Sequence, residues 1–181
     1  MAAAGLGRRR DGGAMMDPAA AVICADLLYR EGLHLDRQEW DAWLALYAED
    51  AVFWIPAWLD EHRTTSDPDR EVSLIYHDSR FGLEERIMRI RTRKSVTALP
   101  LPRTVHMITN ILPMQATADM IEVTSSWIVH DFDPRVSRQH MLFGRYEHGL
   151  RRGEDGTWRI ARKKVLLTND VIPTALDFYS V

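Results

Sequence analysis

The chain of 181 residues has a single cysteine, Cys24. That excludes an internal disulfide and any zinc or iron–sulfur site built from cysteines within one chain. A lone thiol suits a reducing compartment, so a cytoplasmic location is expected. There is little excess of either charge: 23 Lys and Arg stand against 26 Asp and Glu, a net charge of −3. No electrostatic case exists for nucleic acid or an anionic membrane as a partner. No apolar run approaches the ~20 residues that a membrane-spanning helix needs. Gly-x-Ser-x-Gly, phosphate-loop and His-Glu-x-x-His motifs are all missing. The histidines at His34, His62, His77, His106, His130, His140 and His148 form no His-x3-His pair. Spacing therefore supports no two-histidine-one-carboxylate iron site.

What is present begins with the aromatic run WDAWLALYAEDAVFWIP, residues 40–56. Trp40, Trp43, Leu44 and Tyr47 fall at i, i+3, i+4 and i+7, one apolar stripe on a helix. Asp36, with Glu39 three residues on, reads as an N-cap and capping-box partner for a helix over Asp36–Ala48. Ala51–Ile55 reads as a strand stopped by Pro56. An earlier helix is expected over Pro18–Leu35, with Ile23, Leu27 and Leu28 on its apolar face. Before it, Met1–Met16 carries Gly5, Gly7, Gly12 and Gly13 beside Arg8, Arg9 and Arg10, without periodicity. That segment is expected to be a disordered head preceding one domain over residues 17–181. A twin-arginine signal is the sharper reading of the arginines, but no apolar h-region follows. Met15 or Met16 also remains open as the true start.

Further along, Trp58–Arg70 is polar and reads as a loop. Val72–Tyr76 is a short strand. Leu83, Ile87 and Ile90 mark a third helix over Ser79–Arg91, whose charged residues read as a solvated face with i, i+4 pairs. Leu99-Pro100-Leu101-Pro102 is a stiff linker. Four strands follow, over Arg103–Gln115, Ile121–Phe132, Ser137–Arg151 and Thr157–Leu167. In the second of these, Ile121, Val123, Ser125, Trp127 and Val129 alternate with Glu122, Thr124, Ser126, Ile128 and His130. A short apolar tail, Thr168–Val181, ends in Phe178 and Tyr179 and is expected to dock on its own domain or a neighbour. Helices early and strands late argue for an α+β fold, three helices packed against a curved antiparallel sheet.

General acid–base chemistry is the one catalytic option these residues leave. A cone formed by curved sheet and helices has a mouth that can hold a small molecule, and Tyr47, Asp50, His106 and His130 are plausible lining residues. The plainer reading weighs more: Tyr47 belongs to the helix stripe, Asp50 caps a turn, and the histidines are core or surface groups. Cys24 among apolar residues reads as a buried, inert thiol.

Four segments together resemble a known family. They are LALYAEDAVFWIP at 44–56, SLIYHDSRFGLEERIMRIRTRKSV at 73–96, LPRTVHMITNI at 101–111 and WRIARKKVLLTND at 158–170. They resemble the small (beta) subunit of aromatic-ring-hydroxylating dioxygenases, in the flavour of the benzoate, anthranilate and toluate branch. The resemblance spans about Ala20 to Val181, and Pro-Arg-Thr-x-His-x-Ile-x-Asn at 102–110 is its most specific part. It implies a cone-shaped fold of the nuclear-transport-factor-2 and scytalone-dehydratase type. It implies a trimeric base of small subunits under three large (alpha) subunits, an α3β3 hexamer. The large subunit would carry the Rieske [2Fe–2S] cluster and the mononuclear Fe(II), and a separate reductase would bring electrons from NADH. No catalytic residue, cofactor or metal is then expected in this chain. By residue type, interface candidates are Trp54, Trp58, Arg80, Arg86, Arg89, Arg103, Trp127, Phe178 and Tyr179. Cutting the tail after Thr168 is expected to weaken assembly. The alternative is a stand-alone dehydratase or isomerase of the same fold, using His106 with a carboxylate such as Asp50.

Overall fold

A computed structural model describes residues 17–92, 100–173 and 175–181. The expected disordered head, Met1–Met16, and Leu99 of the linker lie outside the described residues. Helix α1 spans Pro18–Asp36. Asp17 caps it by accepting from the Ala19 N–H at 3.0 Å, and Pro18 occupies the first turn, where its missing N–H costs nothing. Gln38, at φ 56°, turns the chain out of the helix.

Helix α2 is short, only Trp40–Leu44. The expected helix over Asp36–Ala48 is therefore corrected at both ends. Asp36 belongs to the last turn of α1, and Glu39 makes no side-chain cap. Tyr47 opens strand β1, Tyr47–Pro56. The cause is tertiary: the Leu46 carbonyl accepts from the Ile160 N–H at 2.8 Å, so sheet pairing captures the backbone before the helix can continue.

Strand β2 (Ser73–His77), helix α3 (Arg80–Arg91) and strands β3 (Arg103–Ala116), β4 (Met120–Asp133), β5 (Arg138–Arg152) and β6 (Trp158–Leu167) follow. Their bounds lie within a few residues of the sequence reading. The six strands form one sheet in the order β2-β1-β6-β5-β4-β3. Neighbours are antiparallel, except that β1 runs parallel to β6, so the sheet is mixed rather than wholly antiparallel. Helix α1 touches both β3 and β6, which lie three places apart in the sheet. The sheet therefore curls around that helix.

Alternation along the strands sorts the two faces. Ile121, Val123, Ser125, Trp127 and Val129 point inward and are buried, as the sequence pattern requires. A bulge at Asn110, φ 53°, shifts the phase of β3, so that His106 and Ile108 face in before it and Ile111 after it. The tail closes the other end of the core. Phe178, in a 3-10 turn over Phe178–Ser180, stacks on Trp43 with ring centroids 4.8 Å apart and meets Trp40 edge-on at 5.6 Å. Full burial of that phenyl ring contributes about 1.5–3 kcal/mol. The tail thus docks on this chain's own core.

Candidate functional site, a buried polar cluster beneath the first helix

Glu31 lies on the buried stripe of α1, four residues after Leu27 and four before Leu35. It is 1% exposed, as is Lys163 of β6, whose Nζ donates to Glu31 Oε1 at 2.9 Å. The Tyr47 hydroxyl donates to the same oxygen. His148 of β5 is fully buried, with Nε2 3.4 Å from Glu31 Oε2, beyond the usual hydrogen-bond range. Lys163 Nζ also lies 4.3 Å from the centroid of the Tyr146 ring, which stacks on Trp127. Burial pushes the Glu31 carboxyl up, but the charge of Lys163, with His148 adding to it, outweighs burial and holds it well below the usual carboxylate range. Burial holds His148 below the usual imidazole value and raises the Tyr47 and Tyr146 phenols well above theirs. The cluster is thus an ion pair with neutral polar neighbours, tying α1 to β1, β5 and β6.

The four residues expected at a cone mouth do not come together. His106 does have a carboxylate, but it is Asp36 and not Asp50: His106 Nδ1 lies 2.6 Å from Asp36 Oδ1. Asp36 also accepts from the His106 backbone N–H and the Thr104 hydroxyl, which makes it a clasp between α1 and β3. Burial raises the Asp36 carboxyl, yet these bonds hold it below its ordinary value. Asp50 instead pairs with Arg151 at an open cleft of about 740 Å³, lined by Glu49, Arg80 and Arg159 among others. The arginines there are already committed: Arg80 to Glu84, Arg151 to Asp50 and Arg159 to Asp155. His130 lies on the outer face against Gln139. Tyr47 is the one residue of the four inside the buried cluster.

Glu31, His148 and Lys163 were missed from sequence, although each occupies an apolar phase of its element. His148 alternates with Tyr146 and Leu150, and Lys163 with Val165 and Leu167.

Among the described residues no group of three or more His, Cys, Asp or Glu is arranged to hold a metal ion. The residues here do not fit a Rieske cluster or a mononuclear iron. Cys24 stands alone and buried, its thiol pushed up to about 11 by that burial.

The interface candidates divide. Trp127, Phe178 and Tyr179 are buried in this chain's own core and offer no outward surface. Arg86 does not lie on a solvated face: its Nε and Nη2 donate to Asp177 at 2.8 and 2.7 Å, fastening the tail. Trp54 is half-buried beneath Lys164, and Trp58 is partly exposed while donating to the Leu167 carbonyl. Arg80 is half-buried, and Arg89 and Arg103 are exposed. Residue type did not reveal the larger feature, an apolar outer face on the sheet. Val105, Met107, Leu112 and Met114 of β3 and Met141 of β5 are each 45–61% exposed there.

Residues 30–174 match the family model described as ring hydroxylating beta subunit. The chain is 40% identical to the anthranilate 1,2-dioxygenase small subunit of Acinetobacter baylyi over 157 residues, covering 87% of this chain and 94% of that one. Its fold is similar to the crystal structure of the beta subunit of benzoate 1,2-dioxygenase from Burkholderia mallei. There the TM-score is 0.72 at 34% identity, covering 92% of this chain and 98% of that one. A chain of naphthalene 1,2-dioxygenase shares the fold at TM-score 0.73 and 18% identity, with 90% and 86% covered. By length of match and identity, the chain belongs to the beta-subunit family of ring-hydroxylating dioxygenases.

Proposed function

We propose that this chain is the structural beta subunit of the terminal oxygenase in a multicomponent dioxygenase that acts on an aromatic carboxylate. The observation that carries the reading is the match along most of its length to subunits of anthranilate and benzoate dioxygenases. The reaction adds both atoms of O2 to the ring, giving a cis-dihydrodiol, with NADH supplying two electrons through a reductase. The Rieske [2Fe–2S] cluster and Fe(II) belong to the alpha subunit, and this chain's contribution is geometric. It is a single domain over residues 17–181, acts in the cytoplasm and forms the trimeric base of an α3β3 hexamer.

The outer sheet face supports that role. A sheet with one side in water alternates apolar and polar residues, whereas a sheet covered on both sides is apolar on both. Here β3 carries His106 and Ile108 inward and Val105 and Met107 outward, both of the latter more than half exposed. An outer apolar face of this kind marks a protein–protein surface, and another subunit of the oxygenase is its occupant. The test is co-purification with the Rieske partner. Met107→Glu and Met141→Glu are expected to reduce recovery of the complex while leaving the melting temperature of the isolated chain nearly unchanged. Full recovery of the complex from the double variant would count against this face as the interface.

A further inference from the structure

The inner face of β4 and β5 beneath α1 gathers polar atoms that no protein group satisfies among the described residues. They are Glu31 Oε2, both ring nitrogens of His148, the Tyr146 hydroxyl, Ser125 Oγ and Trp127 Nε1. Every one belongs to a residue no more than 2% exposed. They are neighbours. Ser125 is the cross-strand partner of Tyr146, the Tyr146 ring stacks on Trp127 at 5.0 Å, and it meets the His148 ring edge-on at 5.4 Å. His148 in turn faces Glu31 at 3.4 Å.

Buried polar groups in folded proteins are almost always hydrogen-bonded, and a cluster of exceptions points to a bound species. The chemistry of the atoms narrows which one. The site is electroneutral, because Glu31 is matched by Lys163 and His148 is held neutral by burial, so neither an anion nor a cation is called for. The species must donate, because Glu31 Oε2 can only accept. It must also accept, because the indole N–H of Trp127 can only donate. It must be small, because the surrounding side chains are all enclosed. Water is the ligand that meets all three conditions.

We propose that the orphaned polar atoms between α1 and the inner sheet face hold ordered water, which bridges Glu31 Oε2 to Tyr146, His148 or Ser125. These waters complete the coordination of the ion pair and are integral to the fold of the isolated subunit. The proposal does not rest on the assembly reading and stands or falls separately from it.

The test is a crystal structure of the purified full chain at a resolution that shows ordered solvent. The expected result is at least one water within hydrogen-bond distance of the Tyr146 hydroxyl and of a second atom of the group. Water-oxygen magnetic relaxation dispersion should also detect long-lived internal water in solution, reduced in His148→Phe. If that variant fails to fold, Tyr146→Phe, which removes only the hydroxyl, takes its place. A dry interior, an organic molecule in the site, or satisfaction of these atoms by protein side chains alone would overturn the proposal.

Discussion

Replacing Lys163 by Met isolates the strongest electrostatic commitment in the fold. The variant keeps most of the side-chain volume but removes the ammonium, which lies 2.9 Å from Glu31 and over the rings of Tyr146 and Phe53. Glu31 is then a 1%-exposed carboxylate whose remaining polar contacts are the Tyr47 hydroxyl and His148. Breaking a buried pair by deleting one partner costs about 3–5 kcal/mol, because the other charge stays desolvated. For a chain of this size each kcal/mol lowers the melting temperature by about 2–4 °C, so a fall of roughly 6–20 °C is expected. Urea unfolding and thermal denaturation both measure it. The double variant Glu31→Leu with Lys163→Met should recover most of the loss, since two apolar groups replace a pair that was costly to desolvate. A loss below about 1 kcal/mol in Lys163→Met would refute the reasoning, as would a double variant no better than the single one.

Acid should weaken the fold through the same cluster. Glu31 in the folded state lies below its ordinary value of 4.5, so its contribution is present above that pH and is lost as the pH falls below it. Folded His148 lies below 6.5, so the unfolded chain takes up that proton first and stability declines as pH drops from about 6.5. The urea midpoint should therefore fall from pH 7 to pH 4; a rise over that range contradicts the assignment. Arg86→Ala should cost about 1–2 kcal/mol and speed proteolytic trimming of the tail, because it removes two charge-assisted bonds to Asp177. Cys24 should resist alkylation at neutral pH until the chain is unfolded, which a mass-spectrometric time course would read directly. Cutting the chain after Thr168 should reduce soluble protein before it affects assembly, because Phe178, Tyr179 and Val181 fill the core.

The strand elements were legible because β4 to β6 obey a two-residue alternation that burial enforces. Helix α3 was legible through Leu83, Ile87 and Ile90, all of which are buried. The short α2 was not. Trp40, Trp43, Leu44 and Tyr47 satisfy a helical period, yet Tyr47 reaches the core from a strand instead. A period over eight residues cannot distinguish those outcomes when pairing with Ile160, 113 positions from Tyr47, decides the backbone conformation. The same holds for the parallel β1–β6 pairing: local turns announce hairpins, but nothing local announces which distant strand fills an edge. His106 has a carboxylate neighbour, but it is Asp36 rather than the expected Asp50. From sequence Asp36 reads as a helix cap, because its three-residue spacing to Glu39 mimics a capping box. Glu31 and Lys163 carried a readable signal, each a charged residue at an apolar phase, which is costly unless paired. Arg86 and Asp177 carried none, since 91 residues separate them.

The central claim is that this chain builds an oxygenase rather than performing chemistry alone. Native mass spectrometry with iron analysis tests it most directly, on the chain expressed alone and then with its Rieske partner. The account predicts an iron-free trimer alone and an iron-containing hexamer holding equal numbers of both subunits when they are expressed together. A chain that ignores the partner, or that shows dehydratase or isomerase activity alone which His106→Ala abolishes with the fold intact, would contradict it.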